Sequence, residues 1–158
     1  MAAATTLPLL HRGIVIDPYQ LYEVRVEGAD GVVLIAAAFE DEDDRFSDMY
    51  ATAADLGLDV IVEVADEQQI ERALELLDPD SFLIRNRERD DKQADFERTF
   101  SLLEEVPAGK AVLSQGGIRT REQAAALEGV GVDAAILGRW IYRQPLTATL
   151  DMLRGDMR

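Results

Sequence analysis

Six short apolar runs punctuate the chain, around Leu9 to Leu10, Val32 to Ala36, Val60 to Val64, Phe82 to Arg85, Ala111 to Ser114 and Ala134 to Leu137, and a helix-like stretch follows each of them. Their starts lie roughly 20 to 30 residues apart, which is the length of one strand plus one crossover helix. The runs are rich in Val, Ile and Leu with little polar alternation, as in a parallel sheet covered on both faces. The pattern therefore predicts a parallel βα array. Helix punctuation agrees with it. Asp17-Pro18 supplies a cap and an N1 proline for a helix over Tyr19 to Glu27, and Gly28 follows as its stop. Asp66 caps a helix through Leu77, with Ile70, Ala73, Leu74 and Leu77 on one apolar stripe and Glu67, Gln68, Glu71, Arg72 and Glu75 facing water. Thr120 caps a further helix through Glu128, which is expected to stop at Gly129.

The length changes the picture, because a complete eight-unit barrel takes about 250 residues and a period of roughly 25 leaves room for only about six units here. The expected fold is α/β, a TIM-barrel-like parallel array of about six βα units, either an incomplete barrel or a smaller one. With 158 residues, of which 47% are apolar, the chain is long enough for one core, so a single domain over residues 1–158 is expected. An open parallel sheet has two edges with unpaired backbone groups. Homo-oligomer formation through those edges, or pairing with a partner subunit, is expected.

Composition narrows the chemistry. There are no cysteines and a single histidine, His11, which excludes disulfide scaffolds, thiolate zinc sites and histidine-rich metal sites. No metal or cofactor is expected. A net charge of −15 argues against nucleic acid or anionic lipid as a partner. The opening Met1 to Leu10 lacks a basic start, and Thr5, Thr6 and Pro8 break its apolar run, so it reads as neither signal peptide nor membrane span. A cytoplasmic location is expected. Only Lys92 and Lys110 are lysines among 16 basic residues, a bias with no mechanistic reading. The acidic run Glu40 to Asp44 lacks the Gly and the spaced ligands of a calcium loop and reads as a solvated helix start.

In parallel βα folds ligands bind where the strands' C-terminal ends and the βα loops gather. In this sequence those ends carry His11 and Arg12, Glu63, Arg85-Asn86-Arg87, Gln115-Gly116-Gly117 and Gly138-Arg139. Arginine suits phosphate or carboxylate because its planar fork bonds in a bidentate manner and keeps its proton. Gly116-Gly117 and Gly138 allow backbone amides to approach an anion. Alternation lets Arg85 and Arg87 share a side while Asn86 points away, and sets His11 and Arg12 on opposite sides. His11 reads as packing or surface. Glu63 closes the run Val60-Ile61-Val62 and is the best general acid/base candidate; its bland alternative is a structural ion pair with one of the arginines.

With these residues assembled, the sequence from about Pro8 to Leu153 resembles the indole-3-glycerol-phosphate synthase family, βα-barrel lyases of tryptophan biosynthesis. The resemblance rests on Ile16-Asp17-Pro18-Tyr19-Gln20, Tyr22-Glu23, Gly28-Ala29-Asp30, Val32 to Ala36, Leu56-Gly57-Leu58, Val62-Glu63-Val64, Asp66-Glu67, Asn86-Arg87, Ser114, Gly117-Ile118-Arg119-Thr120, Gly131-Val132-Asp133 and Gly138. It implies that the chain starts at the family's third barrel strand, without the first two strands and the lysine and glutamate of the first. It further implies that the family's general-acid lysine falls on Arg12, with the following aspartate and phenylalanine on Gly13 and Ile14. An active-site asparagine falls on Arg85, a glutamate after the seventh strand on Gln115 and the adjacent serine on Gly116. Glu63, Arg87, Gly117 and Gly138 match the pattern, whereas Arg139 replaces a small or acidic residue.

These departures share a direction. The family's reaction closes an indole ring with loss of carbon dioxide and water, and needs a group that releases a proton near neutral pH. Arginine, with a pKa above about 12, is a poor donor, and Gln115 cannot exchange protons as a carboxylate does. The leading expectation is a synthase-like protein that keeps a pocket for a phosphorylated or other anionic small molecule and lacks the parental ring closure. Arg87, Gly117, Gly138 and Arg139 would hold the phosphate, Arg12 and Arg85 a second negative group, and Glu63 a hydroxyl or amine. A second expectation is an active lyase of this type, or a related phosphosugar enzyme, with Glu63 as acid/base, Arg12 and Arg85 as electrostatic stabilisers and Gln115 completing the catalytic set. A third is a structural or regulatory subunit that completes a partner's barrel.

Overall fold

The computed structural model describes residues 5–87, 94–143 and 145–154, and the described residues form six strands, each followed by helical structure. Lys92 and the first four residues of the opening segment lie outside the described residues. The strands are β1 (Leu10–Arg12), β2 (Gly31–Ile35), β3 (Asp59–Val64), β4 (Ser81–Arg85), β5 (Ala111–Gln115) and β6 (Ala134–Ile136). Between and after them run α1 (Pro18–Val26), α2 (Asp43–Asp55), α3 (Glu67–Leu76), α4 (Arg98–Leu103), α5 (Arg121–Gly129) and α6 (Leu146–Arg154), with short 3-10 turns at Ala36–Phe39 and Arg139–Arg143. Each predicted apolar run holds a strand. The fold class read from the sequence, a parallel βα array of six units, is the one observed. The chain falls into two compact units, Met1–Phe82 and Leu83–Arg158.

In the first unit β1, β2 and β3 pair in parallel, with Arg12 opposite Val33, Val33 opposite Ile61 and Ile35 opposite Glu63. Cross-strand partners share a face, so Arg12, Val33, Ile35, Ile61 and Glu63 lie on one side and His11, Val32, Leu34, Val62 and Val64 on the other. That second side is the apolar one: Val32, Leu34, Val62 and Val64 are fully buried. Leu21 and Val24 of α1, Phe46 and Met49 of α2, and Ile70 of α3 are buried with them in this unit. Phe39 and Phe46 stack at 5.0 Å between ring centroids. Arg72 departs from the expectation that it faces water. It is half-buried over the Phe46 ring and its Nε bonds Asp43 at 2.6 Å, because α3 brings its stem against the Ala36–Phe39 turn, whose Phe39 carbonyl it also caps. Glu40 to Asp44 are exposed and open α2, the solvated helix start that was expected.

In the second unit β5 and β6 pair in parallel, Gln115 opposite Ile136. The core here is Leu83, Ile84, Leu102, Val112, Ile118 and Leu127. The α5 helix ends at Gly129, its expected stop, and Gly131, at φ +89°, is the residue that turns the chain out. Helix starts are built alike in both units. The side chains of Asp17, Asp66 and Thr120 accept from the amides of Tyr19, Gln69 and Gln123, and each cap has a glutamine three residues on. Gln20 and Gln123 reach back to the amides of Asp17 and Thr120, completing reciprocal caps. Strand starts are also built alike. Asp30 Oδ2 accepts from the Leu9 amide at 2.7 Å, and Asp133 Oδ2 from the Val112 amide at 2.8 Å, so the Gly-Ala-Asp and Gly-Val-Asp turns each pin the strand before them.

Candidate functional site

The first unit places two of the sequence-predicted residues in contact. Arg12 ends β1 and Glu63 sits one residue before the end of β3, on the same face of the sheet. Arg12 Nη2 donates to Glu63 Oε2 at 2.6 Å. Glu63 is 1% exposed, whereas the Arg12 side chain is 35% exposed, so one end of the pair is buried and the other reaches water. Glu63 also keeps a further contact. The structural ion pair weighed for Glu63 is thus present, and a guanidinium occupies the position at which the resemblance implies a lysine. His11 lies on the opposite face, half-buried, with its Nε2 3.2 Å from where a Cβ on Gly13 would stand; this is packing.

The second unit gathers the remaining residues at the C-terminal ends of its strands. Gln115 pairs with Ile136 at the paired ends of β5 and β6, and Gly117 and Gly138 each follow two residues later, in the loops beyond those ends. Gly116 and Gly117 have φ of +107° and +79°, a double left-handed turn that side chains resist. Arg139 opens the Arg139–Arg143 turn and is exposed. At the end of β4, Arg85 is half-buried and its Nε donates to the Arg87 carbonyl, Arg87 is exposed, and Asn86 is fully buried. The Asn86 amide donates to the Gln115 carbonyl at 2.8 Å, tying the end of β4 to the end of β5.

Sequence reasoning assigned no role to three buried polar side chains of this unit, Asn86, Thr99 and Ser114. Asn86 and Ser114 lie inside the runs that carry the resemblance, and a small polar residue closing or following an apolar strand run is the signal that marks them. Thr99 had none, because it follows a charged stretch with no apolar period. Among the described residues no group of three or more His, Cys, Asp or Glu could hold a metal ion, and no helix is long and apolar enough to cross a membrane.

Alternating strands and helices with arginines and glycines at the strand ends define a parallel βα protein of the TIM-barrel class. At fold level the chain is similar to orotidine 5'-phosphate decarboxylase from Pyrococcus horikoshii OT3, with a TM-score of 0.72 and 20% identity, over 98% of this chain and 77% of that one. The family model for indole-3-glycerol phosphate synthase matches residues 1–151, and the chain belongs to that family. It is 40% identical over 140 residues to the indole-3-glycerol phosphate synthase of Acidithiobacillus ferrooxidans, covering 89% of this chain and 52% of that protein. It is also 40% identical over 134 residues to the synthase of Caldanaerobacter subterraneus subsp. tengcongensis, covering 85% of this chain and 51% of that protein. The chain spans about half the length of the curated relatives it matches.

Proposed function

We propose that the second unit binds the phosphate or other anionic group of a small molecule, and that the chain by itself does not perform the ring closure of its family. The observation that supports the binding half is the parallel pairing of β5 with β6 up to Gln115 and Ile136, from whose neighbouring ends the loops with Gly117 and with Gly138-Arg139 depart. Glycine amides and a guanidinium on adjacent strand ends are suited to a phosphate's several acceptor oxygens, and Arg87 at the end of β4 supplies a second fork. The lost-chemistry half is supported by Arg12 and Gln115, neither of which releases a proton near neutral pH, and by the commitment of Glu63 to Arg12 at 2.6 Å.

Calorimetric titration with glycerol 3-phosphate at low ionic strength tests the binding half. Saturable heat that weakens roughly tenfold or more in Arg139→Ala or Arg87→Ala is expected, since hydrogen bonds to charged groups are worth about 1.5–3 kcal/mol each. No heat from the unaltered chain refutes it. Sustained release of indole product from the family's phosphorylated ribulose substrate refutes the second half. One observation favours an enzymatic reading, the near-complete burial of the Glu63 carboxylate. That reading requires turnover that collapses in Glu63→Gln while glycerol 3-phosphate binding survives.

A further inference from the structure

Asn86, Thr99 and Ser114, all at 0% exposure, form a closed ring of hydrogen bonds. Asn86 Nδ2 donates to the Ser114 hydroxyl at 3.1 Å and to the Gly116 carbonyl at 3.1 Å, and the Thr99 hydroxyl donates to Asn86 Oδ1 at 2.7 Å. The Thr99 and Ser114 oxygens are 2.7 Å apart. Counting protons fixes the direction of that last bond. Thr99 has one hydroxyl proton, and Asn86 Oδ1, which has none of its own, takes it. The proton between the two hydroxyls therefore belongs to Ser114. Turning the Asn86 amide over would set its oxygen against the Gly116 carbonyl, so the amide orientation is fixed as well. The ring runs one way, Asn86 to Ser114 to Thr99 and back to Asn86, and the second amide proton leaves it for Gly116. Every donor is used, and such a chain of bonds is mutually strengthening in a low-dielectric interior.

The bond that leaves the ring decides the orientation of the glycine turn. No cis peptide bond occurs among the described residues, so the Gly117 N–H points opposite to the Gly116 carbonyl across one rigid plane. Holding that carbonyl inward on a buried amide turns the Gly117 N–H away from the interior. The Gly117 N–H makes no hydrogen bond among the described residues. Asn86 also closes the other side of the turn, because its carbonyl accepts from the Asp95 amide at 2.6 Å and so draws Ala94 and Phe96 across Gly117. A Cβ on Gly117 would stand 3.2 Å from the Ala94 Cβ and 3.6 Å from the Phe96 Cβ.

We infer that the Asn86–Ser114–Thr99 ring is a positioning device: it pins the Gly116 carbonyl and thereby aims the Gly117 N–H at the anion. What the N–H meets rests on the function proposed above; the aiming itself does not. Thr99 acts through Asn86, touches no ligand, and is a positioning residue.

Proton–nitrogen correlation spectra of the whole chain, unaltered and as Thr99→Val and Thr99→Ser, test it together with a titration by inorganic phosphate. Valine keeps the volume of threonine and removes the hydroxyl; serine keeps the hydroxyl. The expected result is that the Gly116 and Gly117 amide signals move in Thr99→Val and return toward their original positions in Thr99→Ser. The phosphate Kd should rise about tenfold in the first and recover in the second. A Gly117 signal unmoved in Thr99→Val, or moved equally in both variants, overturns the inference. If the unaltered chain binds no phosphate, the anion reading falls and the Gly117 signal alone still decides the ring's role. If Thr99→Val does not fold, Ser114→Ala, which removes one hydroxyl and no methyl group, replaces it under the same criteria.

Discussion

Replacing Arg12 by alanine tests whether the Glu63 carboxylate depends on its guanidinium partner. Glu63 is 1% exposed and bonded at 2.6 Å. Removing one partner of a fully buried pair costs about 3–5 kcal/mol, because the remaining charge is stranded. Two features reduce the figure here. The Arg12 side chain is 35% exposed, so water screens and replaces part of the interaction, and Glu63 retains its further contact. A charge-assisted hydrogen bond of about 1.5–3 kcal/mol is then the better guide, and about 2 kcal/mol of lost stability is expected. For a chain of this size that lowers Tm by roughly 4–8 °C. The assay is thermal and urea unfolding at neutral pH of Arg12→Ala, Glu63→Gln and the double variant. Glutamine keeps an oxygen for the guanidinium and carries no charge to strand, so it should lose about 1 kcal/mol or less. The coupling between the two positions should exceed about 1 kcal/mol. A coupling under about 0.5 kcal/mol would mean that Glu63 is held by its other contacts and that Arg12 is free to serve a ligand.

Two further expectations address the scaffold. Arg72→Met keeps the stem over Phe46 but removes the bonds to Asp43 and the Phe39 carbonyl; a loss of about 1–2 kcal/mol is expected by urea unfolding, and an unchanged midpoint would refute the assignment of Arg72 as the tie between α2 and α3. Glu122, in the first turn of α5, titrates below the usual carboxylate range, held there first by its own backbone amide and then by the Thr120 hydroxyl. Its folded carboxyl being the stronger acid, its contribution to stability is present at neutral pH and fades as pH falls through the folded-state pKa. Carbon-detected titration should find Glu122 below other exposed glutamates and shifted upward in Thr120→Ala; an unshifted midpoint refutes the cap's role.

The βα succession was legible because each strand in the middle of the chain is a run of branched apolar residues set between strong helix caps. Val60 to Val64 lies inside β3, and Asp66 caps α3, as the sequence implied. Legibility weakened where burial no longer drives the pattern. β1 has only three residues, two of them exposed, and the apolar run that signals it begins one residue early and ends two short. Gly129 was legible as the end of α5, whereas the residue that takes positive φ and turns the chain out is Gly131, two residues on. Arg72 looked solvated on a helical wheel; its position against Phe46 is a tertiary contact that periodicity does not encode. The ring around Asn86 was hidden for the same reason, since its members are separated by 13 and 15 residues and meet only when α4 docks at the ends of β4 and β5.

The distribution of ion pairs bears on how an acidic chain could hold an anion. With 31 carboxylates against 16 basic groups, any exposed arginine has ample acid to choose from. Arg12, Arg45 and Arg72 each take a carboxylate, whereas Arg87 and Arg139 have no ion-pair partner among the described residues. Both of these follow strand ends, Arg87 after β4 and Arg139 after β6. An arginine drawn to the nearest carboxylate would be a weak anion ligand, because a phosphate would have to displace that carboxylate first. The resemblance implies a small or acidic residue where Arg139 stands, so under the proposed function Arg139 adds positive charge where the phosphate group would meet the protein. Where the family pattern calls for a titrating group, this chain has Arg12 and Gln115, which hold charge or hydrogen bonds but do not exchange protons near neutral pH. Both kinds of change favour holding an anion over transforming it, and together they are why binding and turnover are expected to separate in this protein.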